Sequence, residues 1–136
     1  MDDTYREITE ALRPYLDGFY EGDVAKLKTI FHPNAHLYTA ADGPLQDDPM
    51  EAVYDRVVNR VSPAAKGEKR HDKILPIDKS GPESALVRVQ MAIGPKLFTD
   101  YLSLLKIDGR WQIISKTYTY VLIEVELEEG MTEAAE

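Results

Sequence analysis

Asp100 is the side chain whose setting points most directly to acid–base chemistry. It lies inside residues 97–107, an apolar run that predicts a β-strand. A carboxylate held among apolar strands loses its water, and such carboxylates serve as general acids, bases or hydrogen-bond donors. The alternative is that Asp100 pairs with Lys116 or Arg88 at the rim of a sheet.

The direction in which Asp100 points depends on a predicted hairpin. Asp108-Gly109 is a preferred two-residue hairpin turn, and it joins residues 97–107 to a second strand that begins at Arg110. Counting back from the turn gives these pairs: Leu104 with Ile113, Leu102 with Ser115, and Asp100 with Thr117. The face that we expect to line a cavity therefore carries Phe98, Asp100, Leu102, Leu104, Trp111, Ile113, Ser115 and Thr117.

The opposite face of this hairpin is mixed, with Lys116 among apolar groups. The large apolar residues on it are Tyr101, Leu105, Ile114, Tyr118 and Tyr120. This face could contact water, but its apolar patch also suits a symmetric homodimer formed through the outer face of the sheet.

The three histidines predict no metal site. His32 and His36 have the spacing of two ligands on a helix, but Pro33 between them forbids that helix. Only His71 remains as a further nitrogen donor, and catalytic metal sites need about three protein ligands. His71 begins a predicted strand, residues 71–78, near the expected mouth of the cavity, where it could act as an acid or base. No motif predicts a cofactor.

Two helical segments are predicted before the first strand. The first carries an apolar stripe of Tyr5, Ile8, Leu12, Tyr15, Leu16 and Phe19. Because Pro14 interrupts it, we expect a kink near Leu12 or two helical pieces. Gly22 ends this helix, and Asp23 can cap a second helix over residues 24–31.

A third helix and three further strands complete the predicted elements. Asp48 is a candidate N-cap, with Pro49 at the first helical position, and the apolar stripe of this helix runs to Val61. The strands are residues 35–41, 71–78 and 85–93. We expect one domain over residues 1–136, with residues 128–136 as a frayed acidic tail.

Composition limits the partners. The net charge of −8 argues against nucleic acid and anionic membranes. No apolar run reaches transmembrane length, and the acidic N-terminus shows no signal peptide, so we expect a cytoplasmic protein. The absence of cysteine excludes disulfides and thiolate chemistry.

The order of three helices and a bent sheet resembles the NTF2-like superfamily, a cone of three N-terminal helices packed on a curved, mainly antiparallel sheet of the α+β class. The motifs that carry the resemblance are Tyr15-x7-Asp23, Phe31-His32-Pro33-Asn34-Ala35 and Ile107-Asp108-Gly109-Arg110-Trp111-x-Ile113. Within the superfamily, residues 98–106 with Lys116 look like the group labelled "putative lumazine-binding", or SnoaL-like.

The Tyr15 region is also similar to the ketosteroid isomerases, in which a tyrosine at this place donates to a developing oxyanion. In those enzymes a catalytic aspartate lies on the first strand, where this chain has Thr39. Threonine cannot act as that base at neutral pH. A second acid of those enzymes aligns with either Asp100 or Ser103.

Three functions follow as hypotheses. The first is a protein that binds a small apolar or planar molecule; the second is an acid–base isomerase, dehydratase or cyclase; the third is a protein-interaction adaptor. The candidate catalytic residues are Tyr15, His71 and Asp100. The candidate ligand-binding residues are Phe19, Thr39, Tyr54, Val57, Met91, Leu102, Trp111, Ser115 and Thr117.

Overall fold

Three helices, two strands, a fourth helix and four further strands follow one another in this computed structural model, which describes residues 3–129. The helices are α1 (Thr4–Ala11), α2 (Arg13–Glu21), α3 (Val24–Lys28) and α4 (Met50–Asn59). The strands are β1 (Phe31–Thr39), β2 (Gln46–Pro49), β3 (Lys73–Ser80), β4 (Ser84–Ile93), β5 (Lys96–Ile107) and β6 (Arg110–Leu122). The predicted α+β class is confirmed.

The six strands form one sheet in the order β2-β1-β6-β5-β4-β3. Neighbouring strands are antiparallel except β1 and β6, which run parallel. The helices pack their apolar stripes against one face of this sheet, and the buried core includes Ile8, Leu12, Tyr15, Leu27, Val53, Val87, Val89, Leu102, Leu104 and Ile113. The prediction of a mainly antiparallel sheet covered by helices is confirmed.

The first predicted helix is indeed two pieces. α1 ends against Leu12, and α2 begins at once with Pro14 in its first turn, where a missing N–H costs nothing. Gly22 ends α2 in the left-handed conformation, with φ of 72°. Asp23 then caps α3, because its carboxylate accepts the backbone N–H of Lys26.

Two predicted boundaries are wrong. α3 stops at Lys28, and Phe31 belongs to β1 because the backbone of Ile30 already accepts the N–H of Ile113 from β6. Asp48 does not cap α4. It lies in the short strand β2, and its carboxylate instead binds the guanidinium of Arg56 at 3.1 Å.

The β5–β6 hairpin contains a β-bulge that was not predicted when residue pairs were counted back from the turn. Leu104 lies opposite Ile113 as predicted, but the register then shifts by one residue. The pairs beyond the shift are Ser103 with Ser115, Leu102 with Lys116, and Asp100 with Tyr118. One extra residue moves each later side chain of a strand to the other face. The predicted inward positions of Ser115 and Thr117 are therefore wrong, and Lys116 and Tyr118 occupy that face.

The C-terminal segment is partly bound. The backbone N–H of Glu128 donates to Gly67 at 2.7 Å, and Leu127 forms a bridge with Glu68. The predicted fraying is thus wrong at Glu128, while residues 130–136 lie outside the described part of the chain. Within the described part, no helix is long and apolar enough to cross a membrane.

Candidate functional site

A buried hydrogen bond joins α2 to β5. The Tyr15 hydroxyl donates to Asp100 Oδ2 over 2.5 Å, and both residues are 0% exposed. Tyr15 reaches the sheet because it lies on the apolar stripe of α2, and Asp100 points toward the helices with Leu102 and Leu104. The inward placement that the sequence suggested for Asp100 is thus observed.

Lys116 completes the cluster from β6. Its Nζ lies 3.4 Å from Asp100 Oδ2, and only 6% of the residue is exposed. The same nitrogen lies over three aromatic rings, 5.3 Å from the centroid of Tyr15, 4.7 Å from Phe19 and 5.0 Å from Tyr118. Asp100 therefore lies inside the fold and not at the rim of the sheet, although Lys116, the partner named in the rim alternative, does pair with it.

The pKa values of the cluster are displaced by its burial. Loss of water raises the pKa of Tyr15 well above 10.0, and the nearby negative charge of Asp100 adds to this. Burial lowers the pKa of Lys116; Asp100 opposes this lowering, while the positive charges of Arg60 and Arg56 add to it. Tyr15 is therefore a neutral hydrogen-bond donor at neutral pH.

A small chamber of about 50 Å³ lies beside Lys116. Its lining is aromatic and aliphatic with three cations: Phe19, Leu37, Val53, Arg56, Val57, Arg60, Met91, Ile93, Phe98, Lys116 and Tyr118. It adjoins an open groove of about 440 Å³, since Arg56, Arg60 and Phe98 line both. An apolar space with a few convergent polar groups is the usual form of a small-molecule site.

Several predicted site residues lie at this place. Phe19, Val57 and Met91 line the chamber, and Thr39 lines the groove. The Thr39 hydroxyl donates to the backbone oxygen of Tyr118 at 2.7 Å, so it is already engaged.

His71 lies away from Tyr15 and Asp100, so the structure does not bring the three candidate catalytic residues together. It occupies a separate cavity of about 10 Å³ with Ala92. Ala92 follows Met91, which faces the chamber, and successive residues of a strand point to opposite faces. His71 is therefore on the other side of β4, and its buried Nε2 makes no hydrogen bond with residues 3–129.

The other predicted lining residues occupy structural positions. Leu102 is fully buried in the core, and Tyr54 is half-buried under Lys28, whose Nζ lies 5.4 Å from its ring centroid. Trp111 is buried near the hairpin turn, where it borders a different cleft. Ser115 and Thr117 point away from the chamber because of the bulge, and Thr117 is exposed.

The three cations of the chamber were not among the residues predicted from the sequence. Arg56 and Arg60 follow Val53 and Val57 by three residues on α4, so their proximity to the apolar stripe was a usable signal. Lys116 carried no such signal, since its inward position depends on the bulge in β6.

Comparison with solved structures identifies the class of fold. An NTF2-like protein of unknown function from Shewanella baltica OS155 matches with a TM-score of 0.79 and 27% identity, covering 88% of this chain and 94% of that chain. An NTF2-like protein of unknown function from Methylobacillus flagellatus KT matches with a TM-score of 0.76 and 26% identity, covering 89% of this chain and 94% of that chain. A ketosteroid isomerase-like protein from Erwinia carotovora atroseptica SCRI1043 shares the fold, with a TM-score of 0.70 and 17% identity over 89% and 98%. The fold is NTF2-like, as predicted.

The sequence also matches a family within this class. The model of the family described as "Putative lumazine-binding" matches residues 3–119, and the chain belongs to that family. A relative is the aldolase FrzH of Cladobotryum sp, which is 28% identical over 106 residues, covering 76% of this chain and 81% of FrzH.

Proposed function

We propose that the protein binds a small organic molecule in the groove of about 440 Å³ and the chamber that adjoins it. The ligand has an apolar or planar body and one or two polar groups. The observation that carries this proposal is the buried Tyr15–Asp100–Lys116 cluster beside an aromatic space. Membership of a family described as "Putative lumazine-binding" supports a small-molecule ligand of this kind.

The energetics of the cluster favour a role beyond folding. Burying an ion pair costs several kcal/mol of desolvation per ion. Replacing a buried ion pair by well-packed apolar residues therefore often makes a protein more stable, by about 1–4 kcal/mol. Asp100 Oδ1 is buried and makes no hydrogen bond with any residue of the described range 3–129. A polar ligand group that reaches Lys116 would share in this incompletely satisfied network.

Calorimetric titration of purified protein with planar heterocycles and aromatic ketones, lumazine included, tests the proposal. We expect at least one of these probes to bind, and Asp100→Asn to weaken it about tenfold or more, because the variant changes the charge that holds Lys116. Asp55→Asn, on the exposed face of α4, is the matched control and should leave binding unchanged. Absence of binding by every probe, or equal binding by Asp100→Asn, contradicts the proposal.

An acid–base enzyme is the second candidate, favoured by the contact between Lys116 and Asp100 and by the aldolase name of the relative FrzH. In such an enzyme, Lys116 in its neutral form, which burial favours, would take the proton from the carbon beside a substrate carbonyl and return it. Asp100 behind it would stabilise the ammonium group that forms. Tyr15 would position Asp100 through the hydroxyl contact.

Exchange of hydrogen for deuterium on the carbon beside a carbonyl distinguishes an acid–base enzyme from a protein that only binds its ligand. Proton NMR in deuterium oxide would follow the methyl ketone probes that bind. An enzyme accelerates loss of the methyl signal, and Lys116→Met abolishes the acceleration. A protein that only binds leaves the signal at its uncatalysed rate.

The homodimer remains part of the proposal in revised form. Leu86, Tyr101 and Leu105 are exposed on the outer face of the sheet, with Ile114 half-buried beside them. These four replace the predicted patch, since Tyr118 and Tyr120 border the chamber and groove instead. An apolar cluster of this kind favours association of two copies.

A further inference from the structure

Arg60 is a partly buried cation that has no anionic partner among residues 3–129. It is the C-cap residue of α4, and its Nη2 is buried without a hydrogen bond to any of residues 3–129. Two other arginines have carboxylate partners: Arg56 binds Asp48, and Arg70 binds both Asp17 and Asp72. A buried guanidinium nitrogen without an acceptor is costly, which marks Arg60 as a group that a ligand could satisfy.

The charges around the chamber leave an excess of positive charge. Arg56, Arg60 and Lys116 line it, and no carboxylate from the described part of the chain does. Two of these cations have carboxylate partners behind the lining, Asp48 for Arg56 and Asp100 for Lys116. One positive charge, that of Arg60, is therefore uncompensated, in a protein whose net charge is −8.

The acidic residues of the adjoining groove are engaged elsewhere. Asp42 accepts the hydroxyl of Tyr120 at 2.9 Å, and Glu68 accepts the backbone N–H of Gly94 at 3.0 Å. Neither is paired with Arg60. Burial and the neighbouring charge of Arg56 lower the pKa of Arg60, in agreement with its missing acceptor.

We infer that the site selects an aromatic monocarboxylate, with the carboxylate bound by Arg60 and the ring lying in the groove against Phe98 and Tyr118. A guanidinium matches a planar carboxylate through two parallel hydrogen bonds. One uncompensated charge suits a monoanion better than a phosphate dianion. This inference rests on the proposed function and names the class of ligand for that site.

Matched acids and amides test the inference. The probes are benzoate with benzamide, naphthoate with naphthamide, and indole acetate with indole acetamide, titrated by calorimetry at neutral pH. We expect the best acid to bind wild type at least about tenfold more tightly than its amide. Added salt should weaken binding of the acid and leave binding of the amide unchanged, because only the acid is charged.

Variants assign the preference to Arg60. Arg60→Gln should reduce the ratio of acid affinity to amide affinity to about one, while the amide still binds. Arg60→Lys, which keeps the charge but lacks the planar fork, should retain part of the preference. Arg88→Gln, on the exposed outer face of β4, is the control and should bind like wild type. Circular dichroism confirms that each variant is folded.

The outcomes separate the inference from the proposed function. Equal binding of acid and amide by wild type overturns the carboxylate inference and leaves small-molecule binding intact. An acid preference that survives in both Arg60 variants also overturns it. If none of these probes binds while lumazine or a ketone does, the ligand class is wrong; if nothing binds, the proposed function fails too.

Discussion

Replacement of Lys116 by methionine should destabilise the protein severely. The change removes the ammonium group 3.4 Å from Asp100 Oδ2 and leaves a fully buried carboxylate with one hydrogen bond, that from Tyr15. Breaking a buried ion pair by removing one partner costs about 3–5 kcal/mol. Total stabilities of domains are about 5–15 kcal/mol, so a substantial fraction of the folding free energy is at stake.

Urea unfolding followed by circular dichroism measures this loss. The control is Lys106→Met, which removes the exposed contact between Lys106 and Glu7 at 3.3 Å. Surface pairs are worth about 0–1 kcal/mol, so the control should change the unfolding free energy by no more than that. The double variant Asp100→Leu with Lys116→Met should recover part of the stability, because no uncompensated charge remains although the buried Tyr15 hydroxyl loses its acceptor.

The comparison can refute the reasoning in two ways. If Lys116→Met costs no more than Lys106→Met, the ammonium is not a desolvated partner of Asp100. If the double variant loses the sum of the two single losses, Asp100 and Lys116 are not energetically coupled.

Three further predictions follow. Trp111→Ala should cost about 3–5 kcal/mol of unfolding free energy, since Trp111 is buried. The tryptophan fluorescence of wild type should be blue-shifted from that of free tryptophan, and an emission maximum typical of free tryptophan contradicts the buried position. The pKa of Tyr15 is raised above 10.0, so its stabilising contribution is present below about pH 10 and lost at higher pH. Wild type should therefore lose more stability than Tyr15→Phe in unfolding experiments above that pH, and parallel losses contradict this. Sedimentation should show a dimer that Tyr101→Glu dissociates, whereas a monomeric wild type at high micromolar concentration refutes the dimer.

Local signals predicted the parts of the fold that depend on a few neighbouring residues. Pro14 restricts its own turn, so the break between α1 and α2 was visible in the sequence. Asp108-Gly109 likewise formed the expected turn, with Asp108 at a positive φ of 51°. These elements need no information from distant parts of the chain.

The chamber was less predictable because it depends on the bulge in β6. Neither alternating set of β6 is clearly apolar: one contains Ser115 and Thr117, and the other contains Lys116 and Tyr118. The choice between them is made by pairing with β5 on one side and with β1 on the other. Such pairing is long-range, so the sequence of β6 alone could not place Lys116 beside Asp100.

A crystal structure of the protein with its tightest-binding probe tests the central claim most directly. We expect the ring to lie in the groove against Phe98 and Tyr118, with a polar atom of the probe within hydrogen-bond distance of Arg60 or of Lys116 Nζ. A probe bound on the outer face of the sheet, or in the groove without contact to either cation, would contradict the proposed site.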